Sequence, residues 1–238
     1  AMVATDIRRT EWVQKPQAKE AVQKEWNRLL EKRTWLISLK PERCNLHGPG
    51  DSRVQGLWAT DAPRAPLRHL RAKCPELEEG HANRTWKGRV VFGGNNVQDE
   101  FGLAAQFPDA GSGASYASAS KLLDAVAQFP GNIGQQSDAP AAYTQAEMYE
   151  EDIEQNDTPT YVQLPEWQWN DAMRIAHERT GRRPVCRLLR SLYGHPQAGL
   201  YWERKCKSVL RAAGFREMIG WECLFYHEAC QVVLSVYV

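Results

Sequence analysis

Asp138 lies in the stretch QQSDAPAAYTQA, where small residues surround it and Ala139 and Pro140 follow it directly. Carboxylate oxygens are the ligands that hard divalent ions such as Mg²⁺ prefer in proteins. Pairs of such ions promote displacement at phosphorus by stabilising both the attacking and the leaving oxygen. The same stretch is also compatible with a solvated turn, because Asp-Ala-Pro is favourable turn chemistry. The residues alone therefore leave a metal-binding carboxylate and a turn aspartate both open.

Two cations in the stretch TWKGRVVFGGNNV form a second candidate site. Lys87 and Arg89 alternate with Gly88, so in a strand they share one face. Cations on one face can hold a triphosphate through charge-assisted hydrogen bonds. The alternative is an ordinary solvated strand face.

A third group of candidates is basic and aromatic. The basic residues between positions 186 and 207 are Arg187, Arg190, Arg204, Lys205 and Lys207, and the aromatic residues among them are Tyr193, Tyr201 and Trp202. Such a mixture can bind a phosphate backbone and stack on bases. A charged helix face with its aromatic residues in the core would give the same pattern.

Cysteine and histidine positions suggest a competing zinc site. The pairs Cys44-x-x-His47 and His69-x4-Cys74 have tolerable spacing for a tetrahedral zinc ion. Scattered cysteines and histidines often produce such patterns, so a zinc-stabilised interaction module is the weaker alternative. A site around His227, between Cys223 and Cys230, is weaker still, because a hairpin there would point these residues to different faces.

The elements that must position these residues are mixed. Helical periodicity is present at 17–33, 115–129 and 198–214. Strand character is present at 34–39, 85–97 and 160–165, and as a hairpin at 222–238 with a turn near Glu228-Ala229. Residues 64–73 fit a short basic helix or a solvated loop, and 132–146 begins as a possible strand. Because helices and strands do not alternate strictly, the sequence predicts an α+β fold.

Composition excludes several classes of protein. The chain has 238 residues, 42% of them hydrophobic, and a net charge of +1, so any basic surface must be local. No apolar run is long enough to span a membrane, and residues 1–12 lack the apolar core of a secretory signal. The six scattered cysteines then favour reduced thiols. We expect an intracellular protein, cytoplasmic or nuclear, without a membrane partner.

Five segments, in order, resemble the reverse transcriptase domain of copia-type retrotransposons. They are EAVQKEWNRLLEKRTWLISLKP, TWKGRVVFGGNNVQDE, QQSDAPAAYTQA, SLYGHPQAGLYWERKCKSVLRAAGF and ECLFYHEACQVVLSVYV. The fourth is the most specific, because it is similar to the family's Leu-Tyr-Gly-x-x-Gln-Ala-x-x-x-Trp segment. The last resembles the hairpin that ends in Tyr-Val-Asp-Asp. The resemblance covers residues from about 20 to 238 and is weakest at 41–84.

The resemblance implies a fingers-and-palm architecture in which helices back an antiparallel palm sheet. The implied regions are an N-terminal extension at 1–16, a fingers-like region at 17–131 with a divergent insertion at 41–84, and a palm-like region at 132–238. It further implies that two aspartates follow Val238 in the natural chain, so that the sequence would be a fragment, inactive by itself. Asp138 would then lie beside the tip of the final strand.

The resemblance also implies an activity, RNA-directed DNA synthesis from deoxynucleoside triphosphates on an RNA or DNA template-primer with two Mg²⁺ ions. The implied metal ligands are the carboxylate of Asp138 and the backbone carbonyl of Ala139. The implied nucleotide-binding residues are Lys87, Arg89, Ala139, Tyr143 and Gln197, with Tyr143 stacking under the incoming sugar. The implied nucleic-acid-binding residues are Arg187, Arg190, Tyr193 and Arg204.

Alternatives to these implied roles stay open. Tyr143 could be a core tyrosine, and Gln197 a polar residue at a helix start. His195-Pro196 stands where the family commonly has Leu-Lys, which removes a cation. The alternative function is a non-catalytic descendant that binds nucleic acid or another protein.

Overall fold

The computed structural model describes the chain in separate stretches. The described residues are 5–7, 12–39, 45–47, 64–74, 86–94, 97, 103–105, 107, 117–148 and 160–236, with the backbone alone described at 5–7, 45–47, 64–74 and 117. The chain divides into two compact units, each assembled from two separated segments. The first unit is Ala1–Gln106 with Met148–His195, and the second is Phe107–Glu147 with Pro196–Val238.

The described residues form helices, strands and two short 3₁₀ turns. The helices are α1 (Pro16–Glu31), α2 (Ala117–Ala127), α3 (Asp171–Thr180) and α4 (Ala198–Ala212), and the 3₁₀ turns are Tyr143–Gln145 and Glu166–Gln168. The strands are β1 (Thr5–Ile7), β2 (Asn45–His47), β3 (Arg64–Cys74), β4 (Lys87–Phe92), β5 (Tyr161–Gln163), β6 (Arg183–Arg187), β7 (Arg216–Glu217), β8 (Leu224–His227) and β9 (Val232–Ser235).

Strand β3 organises the sheet of the first unit. The strand order is β1-β3-β5-β6-β2, and β4 also pairs with β3. The pairs are antiparallel except for β3 with β5, which is parallel. The prediction of a basic helix or solvated loop at 64–73 is therefore wrong. The register of β3 against β4 shifts between Arg68 and Leu70, and this bulge gives the strand a helix-like spacing of apolar residues.

Helix α1 packs directly on the backbone of β4. Pro16 occupies the start of the helix, and the predicted apolar stripe is buried at Ala18, Val22, Trp26 and Leu29. A Cβ atom at Gly88 would lie 2.3 Å from the carbonyl oxygen of Ala21. No side chain fits at that distance, so only glycine at position 88 allows the helix and the strand to approach this closely.

Two further segments complete the first unit. The predicted strand at 34–39 shortens to one bridge between Trp35 and Leu188, extended by the hydrogen bond from Leu36 N to Arg187 O at 2.9 Å. Helix α3 is absent from the sequence predictions, although its ends carry the usual signals. The Asn170 side chain accepts from Met173 N, and Gly181 ends the helix with φ of 67°.

The second unit contains the three-stranded antiparallel sheet β7-β8-β9. Helix α2 packs against β9, and helix α4 ends at a left-handed Gly214 with φ of 92°, as its sequence predicts. The predicted hairpin is confirmed: β8 and β9 pair along their length on either side of the turn at 228–231.

The protein is α+β, in agreement with the sequence prediction. The two compact units do not follow the predicted boundary between residues 131 and 132. Strands β5 and β6 join the first unit because β5 pairs with β3, and α2 joins the second because it packs on β9. Among the described residues, no helix is both long and apolar enough to cross a bilayer.

Replacing Gly88 with alanine should lower the free energy of unfolding by about 3 kcal/mol or more, because the added methyl group meets helix backbone that cannot move aside. Gly134→Ala is the control, since its Cβ would meet the Ala127 methyl at 3.0 Å on an exposed segment. Urea unfolding monitored by tryptophan fluorescence measures both. Equal losses in the two variants would contradict the close packing.

Candidate functional site

Asp138 and Ala139 lie in an exposed, extended segment of the second unit. Residues 131–140 are all exposed, and none of them belongs to a strand. The possible strand that the sequence suggested at 132–146 is therefore not formed. This segment lacks the alternating apolar residues that would hold it against a sheet. The Asp138 carboxylate is open to solvent and to an ion.

A turn directly after Asp138 fixes the chain that follows. Ala141 adopts a left-handed conformation with φ of 54°. Its carbonyl oxygen accepts from the buried Thr144 hydroxyl at 2.9 Å, and the Pro140 carbonyl accepts from Gln145 Nε2 at 2.9 Å. Tyr143 begins the 3₁₀ turn and is half-buried, so it is neither a fully buried core tyrosine nor a free surface one.

Helix α4 packs against this 3₁₀ turn. Gln197 directly precedes the helix, and its carbonyl accepts from Tyr201 N at 3.1 Å. The second unit thus contains Asp138, Ala139, Tyr143, Gln197 and Arg204, together with the β8–β9 hairpin. Residues 237–238, beside which Asp138 was predicted to lie, are outside the described residues.

Lys207 is held within the second unit by two carboxylates. Its Nζ lies 2.9 Å from Glu203 Oε1 and 2.9 Å from Glu217 Oε1. Partial burial lowers the pKa of Lys207, but these hydrogen bonds outweigh it and raise the pKa well above the usual range. Lys207 therefore joins α4 to β7, and its charge is already balanced. For Lys207 the structure favours the charged helix face over the phosphate-binding interpretation.

In the first unit, the structure brings Arg89 and Tyr193 together. The guanidinium carbon of Arg89 lies 4.9 Å from the centre of the Tyr193 ring, which is a cation–π contact. Phe92 N donates to the carbonyl of Tyr193 at 2.7 Å. The Lys-Gly-Arg strand and the Leu-Tyr-Gly segment are therefore joined by both backbone and side chain. Lys87 is exposed at the start of the same strand.

Gly194 and His195 continue this junction. A Cβ at Gly194, whose φ is 85°, would lie 2.3 Å from the carbonyl oxygen of Phe92. The His195 ring is buried, packs on Phe92 with ring centres 5.0 Å apart, and lies 3.4 Å from the Thr160 hydroxyl. Burial lowers the pKa of His195 to about 4, so the ring is neutral near pH 7. The sequence did not indicate this buried histidine, because nothing in His-Pro-Gln predicts burial.

Arg187 and Arg190 are also tied into the first unit. Arg190 Nε donates to the carbonyl of Lys32 at 2.9 Å, directly after the end of α1. The charge of Arg187 acts on Tyr161, where burial raises the pKa of the hydroxyl and Arg187 partly offsets that effect. Both arginines are half-buried. Arg190 thus has a structural role that the sequence did not reveal.

The strand order argues against the proposed zinc sites. His47 lies on β2, whereas His69 and Cys74 lie on β3, and β5 and β6 separate these strands. Three strand spacings amount to about 14 Å, too far for ligands of one ion. Cys44 lies outside the described residues.

His227 is likewise committed to hydrogen bonds. Its Nδ1 accepts from Cys230 N, and its Nε2 donates to Ala213 O, both at 3.1 Å. Both ring nitrogens are therefore occupied, which argues against the weaker zinc site.

Comparison with protein-family models, with curated proteins and with solved structures finds no match to this chain.

The buried His195 should make stability pH-dependent. Its pKa is about 4 when folded and about 6.5 when unfolded, so between these values the unfolded chain binds more protons. We expect this group to stabilise the fold fully above about pH 7. It should lose up to roughly 3 kcal/mol as the pH falls to about 4.

Urea unfolding of wild type and His195→Gln across this range isolates the effect as a difference curve. The two curves should converge as the pH falls. A constant separation from pH 7 to pH 4 would contradict the buried neutral ring.

Proposed function

We propose that this chain belongs to an RNA-directed DNA polymerase of the copia type. The observation that carries the proposal is the composition of the second unit. It collects the Asp138 segment, the Tyr143 turn, the helix after Gln197 and the β8–β9 hairpin from two distant parts of the chain. These are the segments to which the resemblance assigns catalysis, and their order along the chain also fits the family.

Asp138 is the residue on which the chemistry would depend. Two Mg²⁺ ions, when bound, would stabilise the attacking and leaving oxygens of an in-line displacement at phosphorus. The exposed carboxylate of Asp138 and the adjacent Ala139 carbonyl suit such an ion, because hard cations take oxygen ligands. Asp138 contributes one carboxylate, so further carboxylates are needed beside it.

The remaining site residues would bind and orient the substrates. Arg89 would meet phosphate from a fixed position, because its guanidinium group already stacks on Tyr193. Lys87, exposed on the same strand, would add a second cation. Tyr143 would support the incoming sugar from its half-buried turn, and Gln197 would contact the nucleotide or template from the start of α4.

A second candidate is a non-catalytic domain that binds nucleic acid or another protein. It is favoured by the position of Asp138 outside any sheet, because catalytic groups are held most accurately by rigid elements. The two candidates differ in one measurable property, primer extension.

Asp138→Asn should abolish primer extension in the protein expressed with any codons that follow Val238 in its gene. The loss should be about a thousandfold or more, because one metal carboxylate is removed. Stability should not change, because the side chain is exposed. Asp124→Asn, an exposed carboxylate on α2 in the same unit, is the matched control. Normal extension by the Asp138 variant would remove this residue from the mechanism.

Tyr143→Ala should relax the discrimination against ribonucleotides. In the proposed role the ring lies under the sugar, where it would exclude a 2′-hydroxyl, the group that distinguishes RNA precursors from DNA precursors. The measurement is the ratio of kcat/KM for a deoxynucleotide to that for the matching ribonucleotide. Tyr143→Phe serves as the control and should keep the discrimination. An unchanged ratio in Tyr143→Ala would place the ring away from the sugar.

A further inference from the structure

The bulge in β3 sorts that strand into an apolar and a basic face. On one side of it Leu67 pairs with Phe92 and Arg68 with Val91, and on the other side Leu70 pairs with Val90 and Arg71 with Arg89. His69 is the extra residue between them. Without it, Leu67 and Leu70 would fall on opposite faces, because side chains alternate along a strand.

The apolar face is the one that helix α1 covers. Gly88, Val90 and Phe92 share this face of β4, since they are two residues apart. Gly88 meets the backbone of α1, and Val90 and Phe92 are buried. Leu67, Leu70 and Ala72 occupy the facing positions of β3.

The other face of these two strands, here called the outer face, is basic. Residues directly opposite on paired strands share a face, so the outer-face positions are Arg68, Arg71 and Lys73 of β3 with Lys87 and Arg89 of β4. Arg71 stands opposite Arg89, and Lys73 opposite Lys87. Like charges placed opposite each other are destabilising. Asp6 of β1, opposite Lys73, is the acidic residue at this register.

We infer that the outer face binds the phosphate backbone of a single-stranded nucleic acid. The basic positions from Arg68 to Lys73 extend over about 17 Å of strand, which suits a chain of phosphates better than one phosphate group. Tyr193 borders the face beside Arg89 and offers an aromatic ring near the track, as single-strand binders do. The inference rests on the strand register and does not require polymerase activity.

The test compares two doubly substituted variants with equal loss of charge. Arg71→Gln with Lys73→Gln removes cations from the outer face. Lys19→Gln with Lys24→Gln removes exposed cations from α1, which covers the opposite face. The probe is a fluorescein-labelled oligo(dT) of about 20 nucleotides, longer than most single binding sites, followed by anisotropy at several salt concentrations.

The outer-face variant should bind at least about tenfold more weakly, and its log Kd against log salt slope should fall by about 1.4, as two lost phosphate contacts require. Its melting temperature should stay equal or rise, because opposed like charges are relieved. The α1 variant should bind as wild type does. Equal weakening in both variants, or in neither, would overturn the inference.

Two further measurements separate the possible ligands and the two proposals. Inorganic tripolyphosphate at equal phosphate concentration should not displace the oligonucleotide; displacement would overturn the assignment to a strand in favour of a nucleotide triphosphate. Asp138→Asn should bind the probe normally even though extension is lost. Binding without extension in wild type would sink the polymerase proposal and leave this inference intact.

Discussion

The contact between helix α1 and Gly88 is the constraint on which the first unit depends. With no side chain at position 88, the backbone of α1 lies against the backbone of β4. This approach decides which face of the sheet is apolar, and it leaves Lys87 and Arg89 on the other face. At the far end of the helix, Arg190 donates to the carbonyl of Lys32 and so ties the segment after β6 to the same helix. One close approach thus positions both the basic strand and the segment that packs against it.

The sequence predicted those elements whose apolar spacing is regular. Helix α1 and the β8–β9 hairpin have uninterrupted periods, and both form within a few residues of their predicted bounds. Strand β3 was missed because the bulge at His69 places its leucines three residues apart, which imitates a helix. Helix α3 was missed although Asn170 and Gly181 mark its ends, because few large apolar residues lie between them.

The candidate site was predicted less completely than the fold, because charge and type do not reveal what a side chain already contacts. Lys207 looked like part of a basic track, yet two glutamates hold it. Arg190 looked similar, yet it serves a helix end. The contact of Arg89 with Tyr193 depends on residues more than a hundred positions apart, and no local pattern indicates it. Asp138 could be singled out only by resemblance, since its exposed segment has no periodicity of its own.

The tryptophans of the first unit have an optical consequence. Trp26 lies with its ring centre 5.0 Å from that of Trp35 and 5.6 Å from that of Trp167, with the rings tilted in each pair. Indoles this close and this rigid couple their electronic transitions, which gives a strong, signed near-ultraviolet circular dichroism band. Since Trp26 is on α1, that band reports whether the helix is seated on its sheet. The protein therefore carries its own spectroscopic marker of the interaction that organises it.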